Sequence, residues 1–399
     1  MGSRVRWFVV VCALALGVAP AARADGPGVG TPTIVTLGDS AISGEAGRWA
    51  GNTNMAAWRV DALGPDAYRD TPAGEAIPGC HRSRSAQAHI GGEVESVNLA
   101  CSGARTRTTG TGAGDSFKPG IDFYGPDASG RKGQARMLQE IAGARNVRAV
   151  VVMIGANDYG FGAIVERCLT NWLTSPWWWR NYCHDDADIA SRFTAERQAQ
   201  ITTAVRDAFA RVSQAMTNAG YDAGQYSVIA QTYWTPIPPA AGFRYPQSGW
   251  TRQVVGGCGI WNRDADWAHD TVVEAMNGSL RNGAAAAKLP NLVVLDLQRA
   301  LDGRRLCEST VGLLEEVDLR SWRSAGAVDR TEWVSQIRTA TTILGPYQLQ
   351  EGSHASYWGQ LAMRSCLRQA YNGGAVRGGT CLRVGDGLTA DGEPRMGLF

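Results

Sequence analysis

Beyond residue 24 the sequence lacks the features of membrane-spanning, nucleic-acid-binding and zinc-binding proteins. No apolar run approaches the roughly 20 residues that a helix needs to cross a bilayer. No C-x-x-C pair occurs, which disfavours a zinc site or dithiol redox chemistry. The formal net charge of +2 favours neither nucleic acid nor an anionic membrane as a partner. We therefore expect a protein without a metal, a cofactor or a stable membrane anchor.

The chain also has little that would divide it into domains. No linker rich in Pro, Ser or Gly interrupts it, and neither does a repeat or a run of like charge. We expect a monomer with a single domain over residues 25–399. Its length beyond that of a typical domain would lie in insertions near residues 41–94, 160–193 and 234–262.

The first 24 residues have the three parts of a secretory signal peptide. Arg4 and Arg6 form a basic start, residues 7–18 are apolar, and small residues around position 24 suit a cleavage site. We expect cleavage between Ala24 and Asp25 and an exported, soluble product. Cleavage would remove three arginines and no acid, which moves the formal charge from +2 to −1.

Eight cysteines remain after the signal peptide, an even number that favours disulfides in an exported protein. Their connectivity cannot be read from sequence, because many pairings are possible. The simplest hypothesis joins sequence neighbours. The pairs would be Cys80–Cys101, Cys168–Cys183, Cys258–Cys307 and Cys366–Cys381.

Alternating apolar runs and helical patterns predict a three-layer α/β/α sandwich with a central parallel five-stranded sheet. Continuous apolar runs of about five residues are typical of strands buried on both faces. The predicted strands are residues 33–37, 96–100, 149–154, 227–231 and 292–297. The helical patterns are residues 134–144, 195–219, 264–287 and 357–371. This alternation indicates a parallel sheet with helices on its faces.

Polar or small residues follow three of the predicted strands, at the edge where parallel sheets bind ligands. They are Ser40 in "GDS", Gly103 in "CSGA" and Asn157 in "GAND". Each also has an ordinary interpretation: a helix cap, a loop glycine and an Asx turn. Near the end of the chain, "EGSH" places His354 three residues after Glu351, just before the last helical pattern.

In this order and spacing, Ser40, Gly103, Asn157 and His354 resemble the SGNH, or GDSL-type, hydrolases, and the cysteines resemble their larger secreted actinobacterial branch. The resemblance implies a flavodoxin-like fold and a serine nucleophile, Ser40, with His354 as its base. It also implies an oxyanion hole formed by the Ser40 and Gly103 N–H groups and the Asn157 amide. The G-x-S-x-G elbow is absent, which disfavours an α/β-hydrolase.

The last block departs from the usual family pattern Asp-x-x-His-Pro. It has Glu351 in place of the aspartate and Ala355 in place of the proline. A glutamate can accept a hydrogen bond from imidazole Nδ1, so Glu351 is a candidate triad acid. The alternative is a Ser40–His354 dyad oriented by a backbone carbonyl, with Glu351 facing solvent.

The segment "CLTNWLTSPWWWRNYC", residues 168–183, concentrates four tryptophans after the third strand. It is either an aromatic lip of the substrate site or a small core that packs an insertion. We favour packing for most of the tryptophans and expect one or two, Trp177 and Trp178, to bind substrate. We expect His184 in the nearby "CHDD" to lie on a solvated surface.

The resemblance implies a secreted esterase or lipase that acts on carboxylic esters of small molecules, lipids or carbohydrates. A carbohydrate O-deacetylase of the same fold is the nearest alternative. A catalytically inactive binding module and an acyltransferase also remain open.

Overall fold

The structure, a computed structural model, describes residues 25–112, 114–338 and 349–399, together with Gly2. The predicted signal peptide therefore lies, except for Gly2, outside the described residues. None of the helices described is long and apolar enough to cross a membrane.

All five predicted strands are present and form a parallel sheet, as expected. They are β1 (Pro32–Gly38), β2 (Glu95–Asn98), β3 (Asn146–Met153), β4 (Ser227–Gln231) and β5 (Leu292–Asp296). They pair in the order β2–β1–β3–β4–β5. The central strands are almost wholly buried, because their apolar side chains have helices or loops over both faces.

In the described part of the chain, two further strands extend the sheet beyond the predicted five, to seven. Strand β6 (Gly379–Leu388) pairs in parallel with the end of β5, and β7 (Pro394–Leu398) pairs antiparallel with β6. The prediction of a five-stranded sheet missed them because β6 is interrupted by glycines and alternates between exposed and partly buried residues. It therefore has no continuous apolar run.

The four helical patterns also correspond to helices. The helices in chain order are α1 (Ser40–Ser43), α2 (Gln134–Ala144), α3 (Ala156–Tyr159), α4 (Phe161–Thr174), α5 (Ala187–Ser191), α6 (Ala195–Asn218), α7 (Thr251–Val254), α8 (Asn262–Trp267), α9 (Val273–Ala286), α10 (Ala327–Arg330) and α11 (Tyr357–Tyr371). The pattern at 264–287 is divided between α8 and α9 by a π-helical turn, Ala268–Val272.

Helix α6 packs between α2 and α9. Helices α6 and α9 approach each other closely because Gly283 of α9 faces α6. A Cβ at Gly283 would lie 2.9 Å from the carbonyl oxygen of Thr202.

Four disulfides join the same sequence neighbours as the hypothesis: Cys80–Cys101, Cys168–Cys183, Cys258–Cys307 and Cys366–Cys381. The first ties the long segment between β1 and β2 to the loop after β2. The last ties α11 to β6. Cross-links of this kind stabilise a fold mainly by restricting the unfolded chain.

Candidate active site

Ser40 is the first residue of α1 and lies two residues after β1, in a turn that only glycine at position 38 permits. Gly38 has φ of +145°, and a Cβ there would lie 1.9 Å from the carbonyl oxygen of Met153. The Gln134 side chain bonds both the N–H (2.7 Å) and the carbonyl (2.8 Å) of Gly38. Asp39 caps α1 by accepting from the Ala41 N–H at 3.0 Å. The turn therefore holds Ser40 at the carboxyl edge of the sheet.

His354 is hydrogen-bonded to Ser40, with 2.7 Å between Nε2 and Oγ. Its other ring nitrogen, Nδ1, lies 3.0 Å from the carbonyl oxygen of Gly352. Because a carbonyl can only accept, Nδ1 carries the proton and Nε2 is free to accept the hydrogen of Ser40. Burial lowers the pKa of His354 below its usual 6.5, which favours the neutral ring. The pair has the protonation state that a general base needs.

The loop that carries His354 is held on both sides by backbone hydrogen bonds. Ser335 donates to the His354 carbonyl at 2.9 Å and accepts from the Ser353 N–H at 3.0 Å. Helix α11 begins three residues after the histidine. These contacts fix the position of the imidazole relative to the sheet.

Glu351 occupies neither of the two positions expected from sequence. It is 1% exposed, so it does not face solvent. Its carboxylate accepts from Trp49 Nε1 at 2.8 Å and from the hydroxyl of Tyr68. The partner of His354 Nδ1 is the Gly352 carbonyl instead. Trp49 and Tyr68 belong to the segment between β1 and β2.

Gly103 and Asn157 line the same cleft as Ser40 and His354. Gly103 has φ of +81°, a left-handed conformation that suits glycine, and it lies two residues after the disulfide-bonded Cys101. Asn157, in the first turn of α3, donates one amide hydrogen to the Ala104 carbonyl at 2.9 Å. The amide carries a second N–H, and the structure thus brings together all four residues singled out in the sequence.

Tyr233 is a supporting residue that the sequence analysis missed. Its hydroxyl donates to Asp39 Oδ2 at 2.6 Å and accepts from the Ala156 N–H at 3.1 Å. It therefore links the end of β4 to the turns after β1 and β3. Burial raises the pKa of Asp39 to about 7, against the opposing effect of the Tyr233 hydrogen bond. The sequence signal that could have identified Tyr233 is its position two residues after a predicted strand.

An apolar cavity, partly open to solvent, adjoins the Ser40 cleft. Its lining is almost entirely aliphatic and comes from α4, the loop after β4, the Cys258 region and the π-helical turn. Phe161, Val165 and Leu169 of α4 line both the cavity and the cleft around Ser40. The two spaces therefore share one wall, and an apolar group bound at Ser40 can extend into the cavity.

Three of the four tryptophans in the segment 168–183 are exposed, so the expectation that most of them are packed is wrong. Trp172 is buried and packs against Trp261, with 4.2 Å between ring centroids. Trp177, Trp178 and Trp179 are 52%, 72% and 79% exposed. Trp177 and Trp178 are not among the residues that line the cleft or the cavity. They lie beyond the end of α4.

Three of the other four histidines, His81, His184 and His269, lie close to carboxylates. His184 is 2.6 Å from the buried Asp264, so it is anchored rather than simply solvated. His269 pairs with Asp270, and His81 pairs with Glu45. Within the described part of the chain, no cluster of three or more His, Cys, Asp or Glu residues could hold a metal ion.

Comparisons with known proteins give structural neighbours only. No protein-family model matches the sequence, and no curated protein matches it. The structure is similar to an extracellular lipase from Streptomyces rimosus and to phospholipase A1 from Streptomyces albidoflavus. Each has a TM-score of 0.40 and 15% identity, covering 85% of this chain and 99% of the other. A carbohydrate acetylesterase from Sinorhizobium meliloti matches with a TM-score of 0.29 and 12% identity, over 72% of this chain and 94% of that one. By their names, these three neighbours are a lipase, a phospholipase and an acetylesterase.

Proposed function

We propose that the protein is a secreted serine esterase or lipase of the SGNH type, which hydrolyses carboxylic acyl esters through an acyl-enzyme on Ser40. The observation that carries this proposal is the 2.7 Å hydrogen bond between Ser40 Oγ and His354 Nε2 at the edge of an open cleft. A serine hydroxyl is a weak nucleophile unless a base removes its proton. A buried, neutral histidine in contact with it supplies that base.

In the first half of the reaction, Ser40 Oγ attacks the ester carbonyl carbon while its proton moves to His354 Nε2. The Gly352 carbonyl holds the resulting imidazolium in place through Nδ1. The negative oxygen of the tetrahedral intermediate binds the Ser40 and Gly103 N–H groups and the Asn157 amide. His354 then gives its proton to the leaving alcohol oxygen, and the C–O bond breaks.

In the second half, His354 removes a proton from water, which attacks the acyl-enzyme carbonyl carbon. Collapse of this second intermediate releases the carboxylic acid and returns the proton to Ser40 Oγ. Transfer of the acyl group to an alcohol would use the same residues. Neither half requires a metal or a cofactor.

The apolar cavity favours esters with an apolar acyl chain over acetylated sugars. The lining is almost entirely aliphatic, so it can bury the methylenes of an acyl chain, whereas an acetyl group has none and a sugar ring needs polar partners. The intact contact between Ser40 and His354 argues against an inactive binding module.

A fluorophosphonate probe tests the proposal, because it reacts with activated serines. We expect peptide mass spectrometry to find the adduct on Ser40 and the His354→Ala variant to abolish it. A panel of p-nitrophenyl esters from acetyl to long acyl chains, with acetylated sugars beside it, would then identify the substrate class. An unlabelled Ser40 in folded protein would overturn the enzyme proposal, and a preference for acetylated sugars would favour the deacetylase.

A further inference from the structure

A second buried carboxylate, Glu45, is bonded to the loop that carries the base. It lies two residues after α1 and is 0% exposed. Its Oε1 atom is 2.7 Å from Nδ1 of His81, and its Oε2 atom accepts from Gln350 Nε2 at 2.8 Å. Gln350 lies two residues before Gly352, whose carbonyl orients His354. Glu45 is thus connected to the base without touching it.

Several ionisable groups surround this carboxylate. The His81 ring stacks on Tyr68, with 4.3 Å between centroids and 8° between planes, and Tyr68 donates to Glu351. Glu75 is 3.6 Å from His81 Nε2 on the opposite side of the ring. The charges that act on Glu45 or on its partner His81 belong to His81, His354, Glu75, Glu351 and Lys118.

Glu45 is ionised despite its burial. Burial alone would raise its pKa, but the hydrogen bond from His81 and the positive charge of that residue oppose burial, and the pKa lies below its usual 4.5. A negative charge is therefore held in a buried region that is bonded to the loop of the base, where it acts more strongly than it would in water.

We propose that Glu45 provides the negative charge that stabilises the His354 imidazolium, while the Gly352 carbonyl orients the ring. In a Ser-His-Asp triad one carboxylate performs both tasks. Here they are divided between two groups, and Glu45 is a positioning residue that acts through the electric field and through Gln350. This inference rests on the proposed function, because only a reacting Ser40 makes His354 an imidazolium.

The pKa of His354 also depends on the charge of Glu45. Burial lowers the pKa of His354, and the charge of Glu45 is the largest influence that raises it. The positive charge of His81 has a smaller, opposite effect. Removal of the Glu45 charge should therefore lower the pKa of His354 further and destabilise the imidazolium in the transition state.

The test is the pH profile of Glu45→Gln, which removes the charge and keeps the size. We expect kcat to fall about tenfold, because the imidazolium of the transition state loses a buried opposite charge. The acid limb of kcat/KM should move to lower pH, because that limb reports the pKa of the free base. Glu45→Asp keeps the charge and should keep the limb closer to that of the natural protein.

Glu351→Gln is the matched control, since it makes the same chemical change in the other buried carboxylate near His354. Its acid limb should coincide with that of the natural protein, because the Glu351 carboxylate is held by Trp49 and Tyr68. A shift of equal size in both variants would overturn the specific role of Glu45. An unchanged acid limb of kcat/KM in a folded Glu45→Gln variant would also overturn this role.

If Glu45→Gln does not fold, as judged by circular dichroism, Gln350→Leu replaces it. This change at an exposed residue removes the hydrogen bond to Glu45. We expect kcat to fall several-fold with KM for a soluble ester unchanged, and an unchanged kcat would overturn the inference. Fluorophosphonate labelling of Ser40 in the natural protein separates these outcomes from a failure of the proposed function.

Discussion

The carbonyl oxygen of Gly352 lies 3.0 Å from Nδ1 of His354, in the position that a carboxylate occupies in a Ser-His-Asp triad. A backbone carbonyl fixes the tautomer and the orientation of the ring but carries no full charge. The acid nearest in sequence, Glu351, is bonded to Trp49 and Tyr68 instead. Substitution of Glu351 should therefore affect activity less than substitution of the acid in a triad.

Glu351→Gln should reduce kcat/KM by less than about tenfold, whereas disruption of a triad acid costs about 10⁴-fold. The change should still destabilise the protein by about 1–3 kcal/mol, because it weakens two buried hydrogen bonds. Ester hydrolysis and denaturant unfolding measure the two effects. A loss of 10³-fold or more in a folded variant would instead assign Glu351 the role of triad acid.

Asn157→Ala should lower kcat by about 10²–10³ with little change in KM, because its amide contacts the oxyanion formed in the transition state. Asn146→Ala is the matched control. Asn146 also donates to a backbone carbonyl, that of Gly30 at 2.9 Å, but it lies at the opposite end of β3. Equal losses in both variants would point to a structural effect and remove Asn157 from the oxyanion hole.

Asp39 should make the protein less stable as the pH rises. Its pKa is raised from 3.8 to about 7 in the folded state, so between these values the folded chain binds more protons than the unfolded chain. Relative to Asp39→Asn, which keeps a capping oxygen, the unfolding free energy should fall by about 1 kcal/mol per pH unit across this window. Urea unfolding at several pH values measures the slope. An unfolding free-energy difference that does not vary with pH would contradict the raised pKa.

Val165→Trp should discriminate against long acyl chains, because Val165 lines both the cleft and the apolar cavity. We expect the ratio of kcat/KM for a long-chain ester to that for an acetyl ester to fall at least about tenfold, the effect of a few methylenes denied their binding site. Ala163→Trp, on the exposed side of the same helix, is the control and should leave the ratio unchanged. If both variants kept the natural ratio, the acyl chain would have to bind elsewhere.

Replacement of Trp177 and Trp178 by serine should leave thermal stability unchanged, because both side chains are mostly exposed. We expect normal hydrolysis of a soluble short-chain ester and slower hydrolysis of an emulsified long-chain ester, since exposed aromatic groups bind apolar surfaces. Trp58→Ser, at a tryptophan that is 59% exposed elsewhere on the surface, is the control. Equal rates on the emulsion would remove these two residues from substrate binding.

Much of the sheet and the core of the candidate site could be predicted from local sequence. The five runs of apolar residues are strands because only burial on both faces suits them, as the buried residues of β3 illustrate. Ser40, Gly103 and Asn157 then follow from topology, because parallel strands place the residues after their carboxyl ends along one edge. The strands β6 and β7 could not be predicted in this way, because their pairing depends on each other and not on an apolar run.

The sequence by itself determined the parallel sheet and the positions of Ser40, Gly103, Asn157 and His354 along the chain, whereas the cysteine pairing was only the simplest of many hypotheses. Tertiary structure alone decided what surrounds the base. Glu351 and Glu45 are both carboxylates, and the direction of each depends on residues far away along the chain, Tyr68 for one and Gln350 for the other. The sequence determines where each side chain leaves the backbone, whereas hydrogen-bond partners on other segments determine where its charged group lies.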